Sequence, residues 1–364
     1  MKMLGFGFFI GLLLVGCGGG GSTTPDKEQP LLGEHSIEQH SSTLSISVEK
    51  IQEKLRSSTV KVILPDTGQG SGFLIGNGYV VTNNHIAALS NTLKVALEGE
   101  KNLIDAQIIG YAECADLAVI RLDFDTNHDH LEWYDKNISA GMSVASAGFP
   151  GDVTSSDGES QYTYTEGIIN TTPSLKNTTW ASTEVFYHSA QIHGGSSGSP
   201  VIELKTGKVV GINYGGTDTR QLAISAQFAQ NYISRMINGE NINSIGISPE
   251  VFMVESGNSW GVYVESVISG SPASDIGVKQ NDVIYFLGDS RLYSSKDMSD
   301  KEQNDVMTLK TYCNVLKNKK PNNRSNILQI EVMRLASDGE LYYCRGEING
   351  LSLSNIVDGS RCPN

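Results

Sequence analysis

The sequence predicts a mainly β protein, an antiparallel barrel or sandwich followed by an α+β block. From Val60 onward, apolar runs of four to seven residues alternate with turn signals such as Gly-Asn-Gly and Lys-Thr-Gly-Lys. Glycine is abundant, at 39 of 364 residues, as expected for a chain with many short strands and tight turns. From residue 241 onward, strand patterns are interrupted by a helical stretch, which indicates a second, mixed block.

The individual elements follow from these patterns. In residues 48–55 the apolar side chains share one helical face, and residues 223–237 have the period of a closing helix. Between these helices we predict ten strands at 59–64, 70–76, 78–82, 93–97, 105–110, 117–122, 143–148, 163–170, 199–204 and 208–215. In the second block we predict strands at 261–267, 281–288, 326–335 and 340–346 and a helix at 305–316.

The N-terminus has the pattern of an export signal. Lys2 precedes an apolar run of 12 residues, Leu4 to Val15, which is short for a membrane span but typical of a signal core. The run ends in Leu-Val-Gly-Cys, which resembles the lipobox of bacterial lipoproteins. The resemblance implies a signal peptide at 1–16 and acylation of Cys17, which would anchor the chain to a membrane. An ordinary secretory signal with an incidental cysteine is the alternative. Residues 17–47 are rich in Gly, Ser, Thr and charge and predict a flexible tether.

Charge and cysteine content exclude some classes of function. The formal net charge is −13 and no basic stripe is visible, which argues against nucleic acid as a partner. Four cysteines follow Cys17 and none forms a C-x-x-C pair, which argues against a zinc site. An exported chain permits disulfides, and four cysteines allow three full pairings. We expect one bridge among Cys313, Cys344 and Cys362, with Cys114 a buried thiol.

The stretch His193 to Pro200, HGGSSGSP, raises the question of a nucleophilic serine. A G-x-S-x-G elbow centred on Ser196 would require a histidine later in the chain, and none occurs after His193. A serine hydroxyl needs a base, an acid that orients the base, and N–H donors for the oxyanion. His85, at the end of an apolar strand, and Asp116, at the start of another, are the base and acid that the pattern favours.

Three segments carry a family resemblance: GSGFLIGNGYVVTNNHIA, ADLAVIRL and GGSSGSPVIELKTGKVVGINYGG. They resemble the motif regions of chymotrypsin-fold serine proteases of the bacterial Deg/HtrA type. The resemblance implies a chymotrypsin-like double antiparallel β-barrel over residues 48–240. It implies a triad of His85, Asp116 and Ser197, with the N–H groups of Gly195 and Ser197 as the oxyanion hole. Metals and cofactors are not part of this chemistry, and we expect none.

By the same motif alignment, the specificity pocket is expected to be lined by Gln191, Ile192 and the strand Ile212–Gly216, which includes Asn213, Tyr214 and Gly215. No acidic residue occurs among them, which argues against cleavage after Lys or Arg. Glutamate-specific relatives have a histidine where Asn213 stands, so that activity is not expected either. A neutral, aliphatic residue before the scissile bond is the remaining expectation.

The segment GVYVESVISGSPASDIGVKQNDVIYFLGD resembles the core of a protease-linked bacterial PDZ domain, with Asn281 replacing the usual glycine. This resemblance assigns residues 241–350 to a PDZ-like domain and leaves 351–364 as a C-terminal tail. It also identifies a loop whose N–H groups would hold the carboxylate of a peptide C-terminus. The residues of this loop are Ser244, Ile245, Gly246 and Ile247.

These expectations combine into a lipid-anchored serine endopeptidase of the bacterial cell envelope. Its partners would be unfolded or damaged exported polypeptides at the active site, peptide C-termini at the PDZ-like domain and a membrane at Cys17. Members of the group are often trimers, so the resemblance allows a homo-trimer, although no residue identifies its contacts. The alternatives are a non-catalytic chaperone or scaffold for unfolded chains and a surface adhesin without hydrolytic activity.

Overall fold

The computed structural model describes residues 47–363 except 66–67, 98–101, 124–127, 155–158, 179–180, 218–219, 254–259, 293–300 and 322. These residues belong to one compact unit, Leu44–Asn364. The predicted signal peptide at 1–16, the acylation site Cys17 and all but the last residue of the tether lie outside the described residues. Among the helices that are described, none is long and apolar enough to cross a membrane.

The first six strands form a closed barrel in the order β1-β2-β3-β6-β5-β4. Side chains such as Val60, Val62, Val80, Val95 and Ile120 fill its interior and are fully buried. Inward and outward positions alternate along β4, as a strand with one buried face requires. The strands are β1 Thr59–Leu64, β2 Gly68–Leu74, β3 Tyr79–Thr82, β4 Leu93–Ala96, β5 Ile104–Ala112 and β6 Leu117–Leu122.

The second sheet has seven strands in the order β8-β7-β11-β12-β13-β10-β9. Its two sides meet through an antiparallel bridge between Ile169 and His188 and a bond from Asn170 N to Tyr187 O at 2.7 Å. The predicted mainly β, double-barrel architecture is therefore confirmed. The strands are β7 Ser143–Gly148, β8 Thr163–Ile168, β9 Ser174–Asn177, β10 Ser182–His188, β11 Pro200–Glu203, β12 Val209–Thr217 and β13 Arg220–Ser225.

Sequence patterns missed β9, β10 and β13 of this sheet. Strand β9, Ser-Leu-Lys-Asn, is almost entirely exposed, so it carries no apolar alternation. The predicted helix at 223–237 includes the end of β13, because the helix begins only at Ala226. Ser225 sets this boundary, since its side chain caps the helix by accepting a hydrogen bond from Phe228 N at 3.3 Å.

Two helices pack against the barrels. Helix α1, Val48–Ser58, buries Ile51 and Leu55, and α3, Ala226–Met236, buries Ala229 and Ile233 in the same core. Helix α3 lies so close to β5 that a Cβ on Gly110 would be 2.6 Å from the Met236 Cβ. Only glycine fits there, and the short contact fixes α3 on the first barrel. A third helix, α2 at Asn84–Ala87, follows β3 directly and carries His85.

Residues 241–363, which we call the C-terminal module, form an α+β structure as predicted. Its sheet has the order β14-β15-β16-β18-β19-β20, with β17 paired to β16, and the edge strand β14 was not predicted. The predicted helix at 305–316 is longer, at Lys301–Lys319. The elements are β14 Ile247–Met253, β15 Trp260–Val267, α4 Pro272–Asp275, β16 Val283–Leu287, β17 Ser290–Arg291, α5 Lys301–Lys319, β18 Leu328–Leu335, β19 Leu341–Ile348 and β20 Ser354–Asn355.

The expected bridge among the last three cysteines is present, between Cys344 and Cys362, but the expectation for Cys114 is wrong. Cys114 is not a buried thiol but is bonded to Cys313, with their Cα atoms 5.7 Å apart, and Cys344 is bonded to Cys362. Proximity along the chain suggested a bridge among the last three cysteines only. Packing of the Cys114 segment against α5 provides the partner instead, across 199 residues. The second bridge ties the predicted C-terminal tail to β19.

A buried ion pair lies inside the C-terminal module. Arg334 on β18 donates to both carboxylate oxygens of Asp282, from Nε and Nη2 at 2.7 Å each. Its remaining donors reach the carbonyls of Gly277 and Pro363 at 2.7 and 2.9 Å. Both charges are buried, so neither can turn to water if the other is removed.

Arg334→Ala is therefore expected to destabilise the protein by about 3–5 kcal/mol, because it leaves the Asp282 carboxylate buried without a partner. Urea unfolding of the intact chain measures this loss. Arg345→Ala is the matched control, since Arg345 pairs with Glu331 in the same sheet but is largely exposed. That change should cost less than about 1 kcal/mol. Equal effects of the two substitutions would contradict the prediction.

Candidate active site

His85 and Asp116 meet because β3 and β6 are paired, with Thr82 opposite Ala118. The Asp116 carboxylate accepts from His85 Nδ1 at 2.8 Å and from the His85 backbone N–H at 2.9 Å. Asn83 Nδ2 donates to the Asp116 carbonyl at 3.0 Å. Asp116 is buried and has a left-handed backbone, with a φ of +54°, at the end of a 3₁₀ turn. Two donors to one carboxylate fix the orientation of the imidazole and leave Nε2 for proton transfer.

The charges around His85 favour its protonated form. Burial alone lowers the pKa of the imidazole, but Asp116, through its charge and its hydrogen bond, acts in the opposite direction. The charge of Glu265, on β15 of the C-terminal module, adds to the effect of Asp116. The pKa of His85 is therefore raised above its ordinary value. The contribution of Glu265 was not apparent from the sequence.

The loop that carries Ser197 is held against the first barrel. Ser71 N donates to the Ser197 carbonyl at 2.8 Å, and the Ser71 hydroxyl donates to the Gly195 carbonyl at 2.8 Å. The φ angles of Gly195 and Gly198 are +97° and +87°. A Cβ on Gly198 would lie 2.1 Å from the Ser71 carbonyl oxygen, so this approach requires glycine. Because Thr82, on the strand that leads to His85, also bonds to the Ser71 carbonyl at 2.8 Å, the loop and the His85 segment share one support.

The loop also presents free backbone donors. Within the described residues, the N–H groups of Gly195 and Ser197 have no acceptor, whereas those of Ser196 and Ser199 are bonded inside the loop. Such a pair of free N–H groups can bind a developing oxyanion. Among the described residues, the His85 ring is hydrogen-bonded to Asp116, and no bond joins it to the Ser197 hydroxyl. Nucleophile–base bonds are often long without substrate and tighten in the reacting complex.

A cleft of about 550 Å³ adjoins Ser197. Four of the predicted pocket residues line it, namely Gln191, Ile192, Gly215 and Gly216. Gln221 also lines the cleft and was not identified from the sequence. A Cβ on Gly216 would lie 2.2 Å from the Gln221 side-chain oxygen, which explains the glycine. No Asp, Glu, Lys or Arg occurs among the lining residues that the structure describes, and this part of the cleft suits an uncharged side chain.

The side chains of Asn213 and Tyr214 do not line this cleft, contrary to the expectation from the sequence. Both are buried in the second barrel. Asn213 Nδ2 donates to the hydroxyls of Ser146 and Ser199 at 2.6 and 2.9 Å, and its Oδ1 is 2.9 Å from His188 Nε2. Burial lowers the pKa of His188 to about 4, so this histidine is neutral. Asn213 therefore supports the loop through Ser199 instead of contacting substrate.

His193, at the rim of the cleft, has a carboxylate partner that the sequence did not reveal. Its Nδ1 lies 3.0 Å from Asp152 Oδ2, and both side chains are about half exposed. The two residues belong to loops that meet where Gly151 N bonds to the Gly194 carbonyl at 2.7 Å. Within the described part of the chain, no cluster of three or more metal-ligating side chains occurs.

The loop Ser244–Ile247 holds a carboxylate, but one from the same chain. Glu113, in the 3₁₀ turn Glu113–Ala115 that precedes Asp116, is completely buried against this loop. Its carboxylate accepts hydrogen bonds from Ser244 Oγ at 2.6 Å, Ile245 N at 3.2 Å, Gly246 N at 3.0 Å, Ile247 N at 3.0 Å and Tyr312 Oη at 2.6 Å. In this structure the ligand expected from the sequence, a peptide C-terminus, is thus replaced by Glu113.

The C-terminal module also contacts the segment around His85. Asn84 Nδ2 donates to the Ile247 carbonyl at 3.1 Å, and Ser269 N donates to Asn91 Oδ1 at 2.9 Å. The sequence does not predict these contacts, because they join residues 163 and 178 positions apart in the chain. The module therefore lies beside both the base and the acid of the candidate triad.

Comparisons with known proteins agree with this geometry. Residues 70–212 match the trypsin-like peptidase domain. The serine protease Do-like HtrA of Lactococcus lactis subsp. cremoris is 30% identical over 276 residues, which are 66% of this chain and 66% of the relative. A protein of Chlamydia pneumoniae described as a periplasmic, DegP-like serine endoprotease is 29% identical over 240 residues, 59% of this chain and 46% of the relative.

Among solved structures, the HtrA-type protease AlgW with a decapeptide is 20% identical and covers 85% of this chain and 99% of its own, with a TM-score of 0.47. The chain spans between about half and two thirds of the length of the two curated relatives. The peptidase match covers the stretch that contains His85, Asp116 and Ser197. This chain belongs to the chymotrypsin-fold serine proteases of the Deg/HtrA type.

Proposed function

We propose that this protein is a serine endopeptidase in which Ser197 is the nucleophile, His85 the general base and Asp116 the orienting acid. The observation that carries the proposal is the hydrogen bond of 2.8 Å between His85 Nδ1 and Asp116. The strand that leads to His85 is bonded to Ser71, the residue that also holds the loop of Ser197. The paired carboxylate fixes the tautomer of the imidazole and stabilises its protonated form.

The reaction follows from these positions. The Ser197 hydroxyl attacks the scissile carbonyl while its proton passes to His85 Nε2, and the carbonyl oxygen becomes an oxyanion bound by the N–H groups of Gly195 and Ser197. The imidazolium then gives the proton to the leaving amine, and the C–N bond breaks to leave an acyl-enzyme. A water molecule, deprotonated by His85, hydrolyses the ester and restores the serine.

We propose exported polypeptides, unfolded or damaged, as the substrates, with a neutral aliphatic side chain in the cleft of Gln191, Ile192 and Gly215. The uncharged lining supports this preference. The description of the Chlamydia pneumoniae relative as periplasmic supports a location in the cell envelope. Anchoring through an acylated Cys17 and assembly into a homo-trimer are further parts of the proposal.

Binding of peptide C-termini by the C-terminal module is also proposed, with one condition. The three N–H groups of Ile245, Gly246 and Ile247 that would hold a peptide carboxylate are bonded to Glu113. A peptide can therefore bind in this loop only in a state in which Glu113 has left it.

Ser197→Ala should lower the rate of casein cleavage by about 10⁴- to 10⁶-fold, because it removes the nucleophile. A fluorophosphonate probe should label the wild type and not this variant. Ser196→Ala is the matched control, since it removes the neighbouring hydroxyl, which accepts only a long bond of 3.4 Å from His193 N. That variant should keep its labelling. Casein cleavage by Ser197→Ala, or a wild type that binds unfolded casein without labelling or cleavage, would contradict the proposal in favour of a chaperone.

The pH dependence of kcat/KM should reflect the raised pKa of His85. The base must be neutral, so activity falls as pH decreases through this pKa, and the fall should occur above the ordinary imidazole value of about 6.5. Glu265→Gln removes a negative charge that favours the imidazolium. The midpoint should then move to lower pH by on the order of a few tenths of a unit.

The control for this experiment is Glu250→Gln. It removes a carboxylate on β14 whose pKa the charge of Glu265 raises, and which is not among the charges that raise the pKa of His85. Its acid limb should stay close to that of the wild type. An unchanged midpoint in Glu265→Gln, or a shift to higher pH, would show that Glu265 does not act on His85.

A further inference from the structure

The Glu113 carboxylate is satisfied entirely by the C-terminal module. Three of its five donors are consecutive backbone N–H groups, at Ile245, Gly246 and Ile247, and the other two are the hydroxyls of Ser244 and Tyr312. All five point at the two carboxylate oxygens, which is the arrangement that an ionised carboxylate requires. Burial raises the pKa of Glu113, and the hydrogen bonds from Ile247, Ser244, Tyr312 and Ile245 oppose this effect.

The segment that carries Glu113 also carries the catalytic acid. One 3₁₀ turn, Glu113–Ala115, separates the two carboxylates, and Asp116 N bonds back to the Glu113 carbonyl at 3.2 Å. Within the turn, Cys114 is bonded to Cys313 of α5, the neighbour of Tyr312. Two adjacent residues of the turn are thus joined to two adjacent residues of α5. Glu113 is hydrogen-bonded to Tyr312, and Cys114 is covalently bonded to Cys313.

The edge strand β14 is poorly suited to accept a peptide in this state. A bound peptide would extend the sheet along the free edge of β14. Pro249 within that strand has no N–H to donate. Proline occurs in edge strands where its missing N–H would face the unpaired edge, which is the edge that a peptide would use. The Ile247 carbonyl, next to the loop, already accepts from Asn84.

We propose that Glu113 is a positioning residue: as an internal ligand of the Ser244–Ile247 loop, it holds Asp116 against His85 and keeps peptide C-termini out of the loop. The loop then has the geometry of a peptide receptor but serves as a clamp on the catalytic acid. The catalytic half of this inference rests on the proposed peptidase function, whereas the exclusion of peptides does not.

The exclusion follows from the effective concentration of the internal ligand. Even short flexible tethers give effective concentrations in the millimolar range, and the Cys114–Cys313 bond restricts Glu113 much more tightly than a flexible tether would. A peptide that binds its receptor with micromolar affinity cannot displace such a ligand. Removing the carboxylate should free the N–H groups of the loop, and removing the disulfide should weaken the internal competitor.

The positioning role is tested with Glu113→Gln, which keeps the size of the side chain but removes its charge. Misplacement of a catalytic group by about 1 Å costs on the order of 100-fold, so kcat should fall by about that factor while KM stays unchanged. The low-field proton NMR signal of His85 Nδ1–H should shift or disappear. Asn91→Ala is the control, since it removes another contact between the module and the first barrel, and it should preserve both kcat and the signal.

A merely structural role for Glu113 would lower the melting temperature and leave kcat and the NMR signal unchanged well below that temperature; this result would overturn the positioning role. If Glu113→Gln does not fold, Tyr312→Phe and Ser244→Ala each remove one donor to the carboxylate. Both should then change kcat and the signal in the same direction, by smaller amounts, and wild-type values in both would also overturn it.

Peptide exclusion is tested by fluorescence anisotropy with a labelled decapeptide that ends in valine with a free carboxylate. The wild type with its disulfides intact should show no saturable binding at millimolar concentrations, whereas Glu113→Ala should bind the peptide and not its amidated form. The double variant Cys114→Ser with Cys313→Ser should bind more weakly than Glu113→Ala. Saturable, carboxylate-dependent binding to the intact wild type would overturn the exclusion, even if the protein proved to have no peptidase activity.

Discussion

Two carboxylates buried three residues apart impose the strongest constraint on this structure. Burying a carboxylate is costly unless hydrogen bonds replace its water, and Glu113 and Asp116 are both almost completely inaccessible. The donors for Asp116 come from the His85 segment of the first barrel, and those for Glu113 come from the C-terminal module. The turn between them, which ends in the left-handed Asp116, is bonded at both ends, so the position of the proposed catalytic acid depends on two separate parts of the fold.

The position of Ser197, the proposed nucleophile, depends on a second junction, between the two barrels. Ser71, on β2, accepts a bond from Phe149 N at 2.9 Å and donates to the Gly195 carbonyl. The same residue bonds through its backbone to Ser197 and Thr82, so one residue joins the loop of the second barrel to the strand that leads to His85. The proposed triad thus lies where the two barrels and the C-terminal module meet, and the positions of its members depend on contacts between these parts of the fold more than on any single strand.

Because the candidate site depends on contacts between distant segments, the sequence could predict some of its features and not others. The first barrel, the order of His85, Asp116 and Ser197, and the α+β pattern of the C-terminal block follow from local motifs and periodicity. Strand β9 is polar and exposed, and β13 runs directly into a capped helix, so neither has a local signature. Glu113, Glu265 and the Cys114–Cys313 bond act across more than 100 residues of sequence, where single-sequence patterns contain no information about pairing. Asn213 lies in the expected strand, but the direction of its side chain depends on Ser146 and Ser199.

The loop Ser244–Ile247 is also a case in which the sequence could not predict a partner that is distant along the chain, and here the partner affects the function. The sequence Ser-Ile-Gly-Ile identifies a loop with three N–H groups available for an anion, and the structure contains an anion there. A motif specifies the donors but not the origin of the acceptor, because a peptide terminus and a glutamate side chain present the same two oxygens. A glutamate placed next to a cross-linked cysteine has a large entropic advantage over any free peptide. In such a protein, the donors that could hold a peptide terminus would instead connect the C-terminal module to the proposed catalytic acid.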